Sequence, residues 1–128
     1  MSRKLLPITM LALATLLLAA CGDGDGDGGE ATTDLQVLGT DSLAYEPDAF
    51  TVPAGEEVTV ELTSEASVEH DFIIEDAPGG ELDVVEAAAG ETATGTFTVD
   101  EPGTYTVYCS VPGHREAGME ASLEVVEG

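Results

Sequence analysis

From Asp34 onward the chain is cut by Gly, Pro and Asp into short runs of β-type residues, and this texture limits the fold more than any other feature. Seven runs follow one another: DLQVLGT, SLAYEPDAFTV, EEVTVELTS, SVEHDFIIE, TATGTFTV, GTYTVYC and MEASLEVVE. PAGEE and DEPGT read as turns between them. Residues 78–90, PGGELDVVEAAAG, are ambiguous and leave room for a helical turn. So many short strands at close spacing predict an all-β, antiparallel sandwich or barrel. Residues 34–128 suffice for one small core, so a single domain is expected there.

Side chains alternate between the two faces of a strand. In EVTVEL, Val58, Val60 and Leu62 share one face, and Thr59 and Glu61 the other. Three other runs carry an unusual member in the apolar row. His70 lies in line with Val68, Phe72 and Ile74; Cys109 continues Tyr105 and Val107; Met119 begins the row of Ala121, Leu123 and Val125. With those rows turned inward, His70, Cys109 and Met119 all reach the interior. Cys109 and Met119 sit at strand ends, and His114 lies on the loop that joins them. Each residue alone has an ordinary use: Met fills cores, a free Cys is a small apolar residue, and a strand His is more often structural. Their coincidence at one place asks for a shared purpose.

The N-terminus bears on that purpose. Residues 1–20 have a basic start at Arg3 and Lys4, then an apolar run, then small residues. The run is short for a membrane span and has no basic flank after it, so a cleaved export signal is expected. LAAC at 18–21 resembles the lipobox of lipoprotein signal peptides, which implies a lipid on Cys21. A lipidated sulfur cannot join a disulfide. Cys109 is then the one thiol of a chain in an oxidising compartment, and such a Cys is reactive or bound to something. Residues 21–33, with Gly and Asp alternating, read as the lipidated Cys and a flexible tether. The Asp23, Asp25, Asp27 spacing starts like a calcium loop, but the twelfth position is Asp34 rather than Glu, and Glu30 stands where an apolar residue belongs.

Charge removes one class of partner. The chain has 26 Asp and Glu against 3 Lys and Arg, for a net charge of −23. Beyond Cys21 the one cation is Arg115. Such a surface repels phosphate backbones, so no nucleic-acid partner is expected. The acidity suits either a solvated surface or adaptation to strong salt.

Two imidazoles, a thiolate and a weak thioether describe a blue-copper electron-transfer site. Thiolate and thioether favour Cu(I), and imidazole also serves Cu(II). The C-x4-H-x4-M pattern after PGTYTVYC, with a His about forty residues upstream, resembles the cupredoxin family. The loop spacing is similar to that of the auracyanin and rusticyanin branches, and CSVPGH to the azurin loop. The resemblance implies a Greek-key sandwich of about seven to eight strands with one copper ion at one end. It implies His70, Cys109 and His114 as near-planar ligands and Met119 as the axial one. Members commonly have Asn after the first His ligand, where this chain has Asp71. That side chain would tie to Ser110, while the backbone N–H groups of Asp71 and Val111 could reach the thiolate.

The leading functional reading is one-electron transfer outside the cytoplasmic membrane, by a lipid-anchored monomer on its outer face or in a periplasm. Partners would be redox proteins such as membrane oxidases or reductases. The electron port would be the exposed edge of His114, ringed by Pro112, Gly113, Ala117 and Gly118, with Arg115 and Glu116 as a solvated rim. An enzyme of the copper oxidase or nitrite reductase type would need further His, and both His are used already. The alternative is an exported copper-delivery or copper-storage protein.

Overall fold

The computed structural model describes residues 30–128. The expected export signal, the expected lipidation at Cys21 and the expected tether as far as residue 29 lie outside the described residues. The order of elements is β1 (Asp34–Gly39), β2 (Tyr45–Glu46), β3 (Ala49–Pro53), β4 (Val58–Ser64), β5 (His70–Ile74), β6 (Leu82–Ala87), β7 (Thr92–Phe97), β8 (Gly103–Tyr108) and β9 (Glu120–Val126). They form two sheets, β2-β1-β4-β7 and β3-β9-β8-β5-β6. The fold is all-β, as the strand pattern predicted. Thr32 and Thr33 already bond to Thr51 and Thr59, so the chain joins the sandwich just ahead of β1.

Three details differ from the sequence expectations. The run SLAYEPDAFTV holds two strands in different sheets, β2 and β3, with Pro47 and Asp48 carrying the chain across. The ambiguous stretch holds β6 rather than a helical turn. Its alternation is hidden because Val84 and Val85 stand side by side at a bulge, where pairing slips from Phe72↔Val85 to Ile73↔Asp83. The sheets are also mixed rather than antiparallel throughout: β1 runs parallel to β4, and β3 parallel to β9. Between β1 and β4 the chain crosses to the other sheet as β3, and so returns pointing the same way. Pro53 is tolerated because β3 is an edge strand, where a missing N–H costs no ladder bond.

The inward rows make the core. Val58, Val60 and Leu62 of β4 are fully buried, as are Phe72, Ile74, Val107 and Leu123 of the facing sheet. The Phe72 ring meets Tyr45 and Phe50 at 5.9 and 5.7 Å between centroids. Phe72, at the centre of this aromatic group, lies two residues beyond His70 on β5. Tyr45 donates its hydroxyl to the Asp71 carbonyl at 2.5 Å, which ties β2 to the start of β5. A buried hydroxyl needs such a partner.

Candidate metal centre

Three elements converge at one end of the sandwich. His70 opens β5, Cys109 directly follows β8, and Met119 directly precedes β9. The Cys109 N–H donates to the Met119 carbonyl at 3.3 Å, which extends the β8–β9 ladder by one step and brings the two sulfur residues to the foot of one loop. The loop between them is folded by local chemistry. Pro112 and Gly113 take the central positions of a turn closed by the His114 N–H on the Val111 carbonyl, at 3.0 Å. Gly113 has φ 87°, which a side chain resists, so V-P-G-H reads as a type II turn. The His114 carbonyl then accepts from Ala117 and Met119, at 3.1 Å each, and folds the loop back on itself.

The result is a dry cluster. His70, Cys109 and Met119 have no exposure, and His114 has 7%. Cys109 Sγ stands 4.0 Å from His70 Nδ1 and 3.4 Å from His114 Nδ1. One ligand atom from each of the three residues lies within 4.8 Å of the others. Two metal–ligand bonds of roughly 2.0–2.3 Å, opening at about 120°, put N and S about 3.7 Å apart, between the two separations seen here. The donor set therefore fits one metal ion on geometry as well as on chemistry.

Electrostatics agree. Burial pushes the Cys109 thiol up to about 11, and the N–H groups of Asp71 and Val111 pull the other way. The Asp71 N–H donates to Sγ at 3.5 Å; the Val111 N–H acts in the same direction from outside full hydrogen-bond geometry. Burial, and then the neighbouring His114, hold the His70 imidazole below its usual pKa. Without metal the cluster thus stores a neutral thiol beside a neutral His70 ring, and a cation entering it displaces the thiol proton. The His70 Nε2 is buried with no partner in full hydrogen-bond geometry, although the Thr40 backbone is close enough to raise the basicity of the ring.

The residues around the cluster are placed as follows. The Asp71 carboxylate accepts from the Ser110 N–H at 2.7 Å and, with its other oxygen, from the Ser110 hydroxyl. These bonds join the two chain segments that carry His70 and Cys109. Pro112, Gly113, Ala117 and Gly118 are exposed around the nearly buried His114, so the expected exposed ring edge is only a narrow opening. Arg115 is not a free rim charge. Its guanidinium grips Glu75 through two nitrogens at 2.8 Å, meets Glu120 at 2.7 Å and lies 4.2 Å over the Tyr108 ring. Together they hold down the flank of the loop. Sequence reasoning passed over Gly39, Thr40 and Tyr45, which surround the β5 end of the site; a Gly inside a β run was the available signal.

A β-sandwich with a buried His–Cys–His cluster at one end defines a class of copper proteins, and the comparisons agree. Residues 31–126 match the family model of copper binding proteins of the plastocyanin/azurin family, and the chain belongs to that family. It is 33% identical over 126 residues to plastocyanin of Prochlorothrix hollandica, covering 94% of this chain and 88% of that one. It is 25% identical over 112 residues to the copper-resistant cuproprotein CopI of Rubrivivax gelatinosus, covering 75% of this chain and 68% of that one. Among solved structures it resembles dithionite-reduced auracyanin from Roseiflexus castenholzii, with a TM-score of 0.64, 25% identity, and 76% and 99% of the two chains covered. Copper is therefore the cofactor, and the cupredoxin relatives mark a blue copper electron carrier.

Proposed function

We propose that this chain carries single electrons between redox proteins outside the cytoplasm, with copper held by His70, Cys109, His114 and Met119. The observation that supports it is the dry cluster in which three donors from two separate parts of the chain already stand within 4.8 Å. Copper would supply a one-electron couple there. The chain's own contribution is rigidity: His70 is anchored on β5, Cys109 directly follows β8, and the loop carrying His114 is closed by its own turns. Little then has to move when the charge of the site changes. The Asp71 N–H, pointed at Sγ, stabilises a thiolate and would favour the reduced site. No catalytic role is proposed for the chain alone.

Electrons would pass at the His114 opening, where exposed Pro112, Gly113, Ala117 and Gly118 let a partner come close. Lipid on Cys21 would hold the domain on the outer face of the membrane or in a periplasm, near oxidases or reductases. A visible spectrum and redox titration of the fragment from Glu30 onward test the reading. Intense thiolate-to-copper absorption with a reversible one-electron wave is expected. A second reading, copper delivery or storage, draws on the similarity to a copper-resistant cuproprotein. It requires a colourless Cu(I) protein that yields its metal readily, and Met119 as the one Met beyond the leader gives it little to work with.

A further inference from the structure

Gly39 closes β1, and a Gly inside a strand weakens it unless something needs the space. Here something does. A Cβ built on Gly39 would stand 2.5 Å from His70 Cδ2, 2.8 Å from Cγ and 3.1 Å from the His70 Cβ. These atoms are the root of the imidazole rather than a flexible tip, so they cannot swing aside. The ring has no exposure, and the His114 ring blocks it at 5.1 Å between centroids.

The Gly39 backbone is equally confined. It is paired with Tyr45 on one side and Ser64 on the other, and its carbonyl accepts the Glu65 N–H at 2.9 Å. Its φ is not in the left-handed region, so Ala would fit the local backbone and fail only on space. A second observation points the same way: the unpartnered Nε2 belongs to this same ring, and the backbone close to it is that of the next residue, Thr40.

We infer that Gly39 is a positioning residue for the copper site, whose absent side chain is the seat of the His70 ring and sets how that ring meets Cys109 and His114. This rests on the reading of His70 as a copper ligand. Any larger residue at 39 keeps the donor set and shifts one donor.

The test is a double-mutant cycle on the metal-free protein: wild type, Gly39→Ala, His70→Ala and the double variant, each melted. Gly39→Ala should lower the melting temperature in the wild-type background and cost much less when the ring is gone, since Ala at 70 leaves only the Cβ contact at 3.1 Å. An equal loss in both backgrounds overturns the inference. Should Gly39→Ala alone fail to fold, a folded double variant supports the seat and an unfolded one overturns it. In the copper-loaded protein, Gly39→Ala should weaken copper binding by about 10- to 100-fold and alter the visible spectrum. Wild-type affinity and spectrum would overturn the inference.

Gly95→Ala is the control. Its Cβ would strike the Val84 carbonyl oxygen at 2.2 Å, away from the metal centre. It should destabilise the sandwich and leave the spectrum alone. An equal spectral shift there would mean that general loosening explains both variants and that no seat exists. If His70→Ala keeps the intense band, the ligand reading fails separately, and the steric cycle still reports on the contact.

Discussion

The two sides of the metal centre are built differently. Cys109, His114 and Met119 lie on one loop whose backbone is folded by bonds between residues at most five apart, outside the closing Cys109–Met119 pair, and only its flanks are tied to distant residues, by Ser110 on Asp71 and Arg115 on Glu75. His70 sits opposite, and everything that places it is distant in sequence. Gly39 leaves room for its ring, Tyr45 holds the Asp71 carbonyl, and Asp71 reaches across to Ser110. The loop is a local device that can be read and altered as a unit. The His70 side exists only once both sheets have assembled, so its geometry is as rigid as the fold itself.

The largest expected effect falls on the loop. Cys109→Ser should abolish the visible band, because a hydroxyl is a poor soft ligand and the charge-transfer donor is gone. A blue variant would show that the sulfur at the foot of β8 is not a ligand. Next comes the sulfur at the other foot. Met119→Leu should keep the colour and raise the reduction potential, since a weak donor to the metal is lost, and Met119→Gln should lower it, since an amide oxygen favours Cu(II). Potentials that move in the same direction in both variants would remove Met119 from the ligand set.

This contrast also explains what could be read in advance. The loop was legible because its residues carry their own reasons: Pro-Gly for the turn, and Cys, His and Met at fixed spacing. The strands β4, β8 and β9 were legible because one inward row of apolar residues survives in each. β6 was not, because its bulge sets Val84 and Val85 together and breaks the alternation. The parallel pairs were not, because no local signal says that β3 will lie beside β9. Gly39 looked like any turn glycine at the end of a β run, and only the neighbouring ring, thirty-one positions on, reveals its role. Arg115 looked like a solvated charge because Glu75 and Tyr108 come near it only after β5 and β8 pair.

Two smaller effects separate local strain from long-range contact. Gly113 has open space around its Cβ position but φ 87°, the reverse of Gly39. Gly113→Ala should therefore cost about 1–2 kcal/mol of stability through backbone strain alone, read by denaturant titration, with the absorption band in place. Loss of the band would mean the loop is less self-contained than its hydrogen bonds indicate. Across the site, Asp71→Asn keeps an oxygen for the Ser110 N–H and offers its amide to the Ser110 hydroxyl, so the tie survives while a carboxylate beside the metal is removed. The reduction potential should rise modestly. An unchanged or lower potential would show that the Asp71 charge does not act on the site.

The smallest effect comes from salt, and it distinguishes the two sides by the kind of force each uses. Arg115 holds the flank of the loop through charge, with a side chain 35% exposed. Gly39 holds His70 by shape. The Debye length is about 30 Å at 0.01 M salt, comparable to a small domain, and about 3 Å at 1 M. With 26 acids against 3 cations in the whole chain, self-repulsion opposes the compact state in dilute buffer and fades in strong salt. The copper-loaded protein should thus melt higher in about 1 M KCl than in about 0.01 M. Arg115→Gln removes both ion pairs and deepens the repulsion, so its deficit against wild type should be clear in dilute buffer. In strong salt the deficit should shrink to what packing over Tyr108 contributes, because exposed ion pairs are screened. The deficit of Gly39→Ala should not move with salt, since a steric clash carries no charge. Wild-type melting that stays flat or falls would end the salt-adaptation reading of the acidic surface. A salt-dependent Gly39→Ala deficit would mean that the His70 side, too, is held partly by charge.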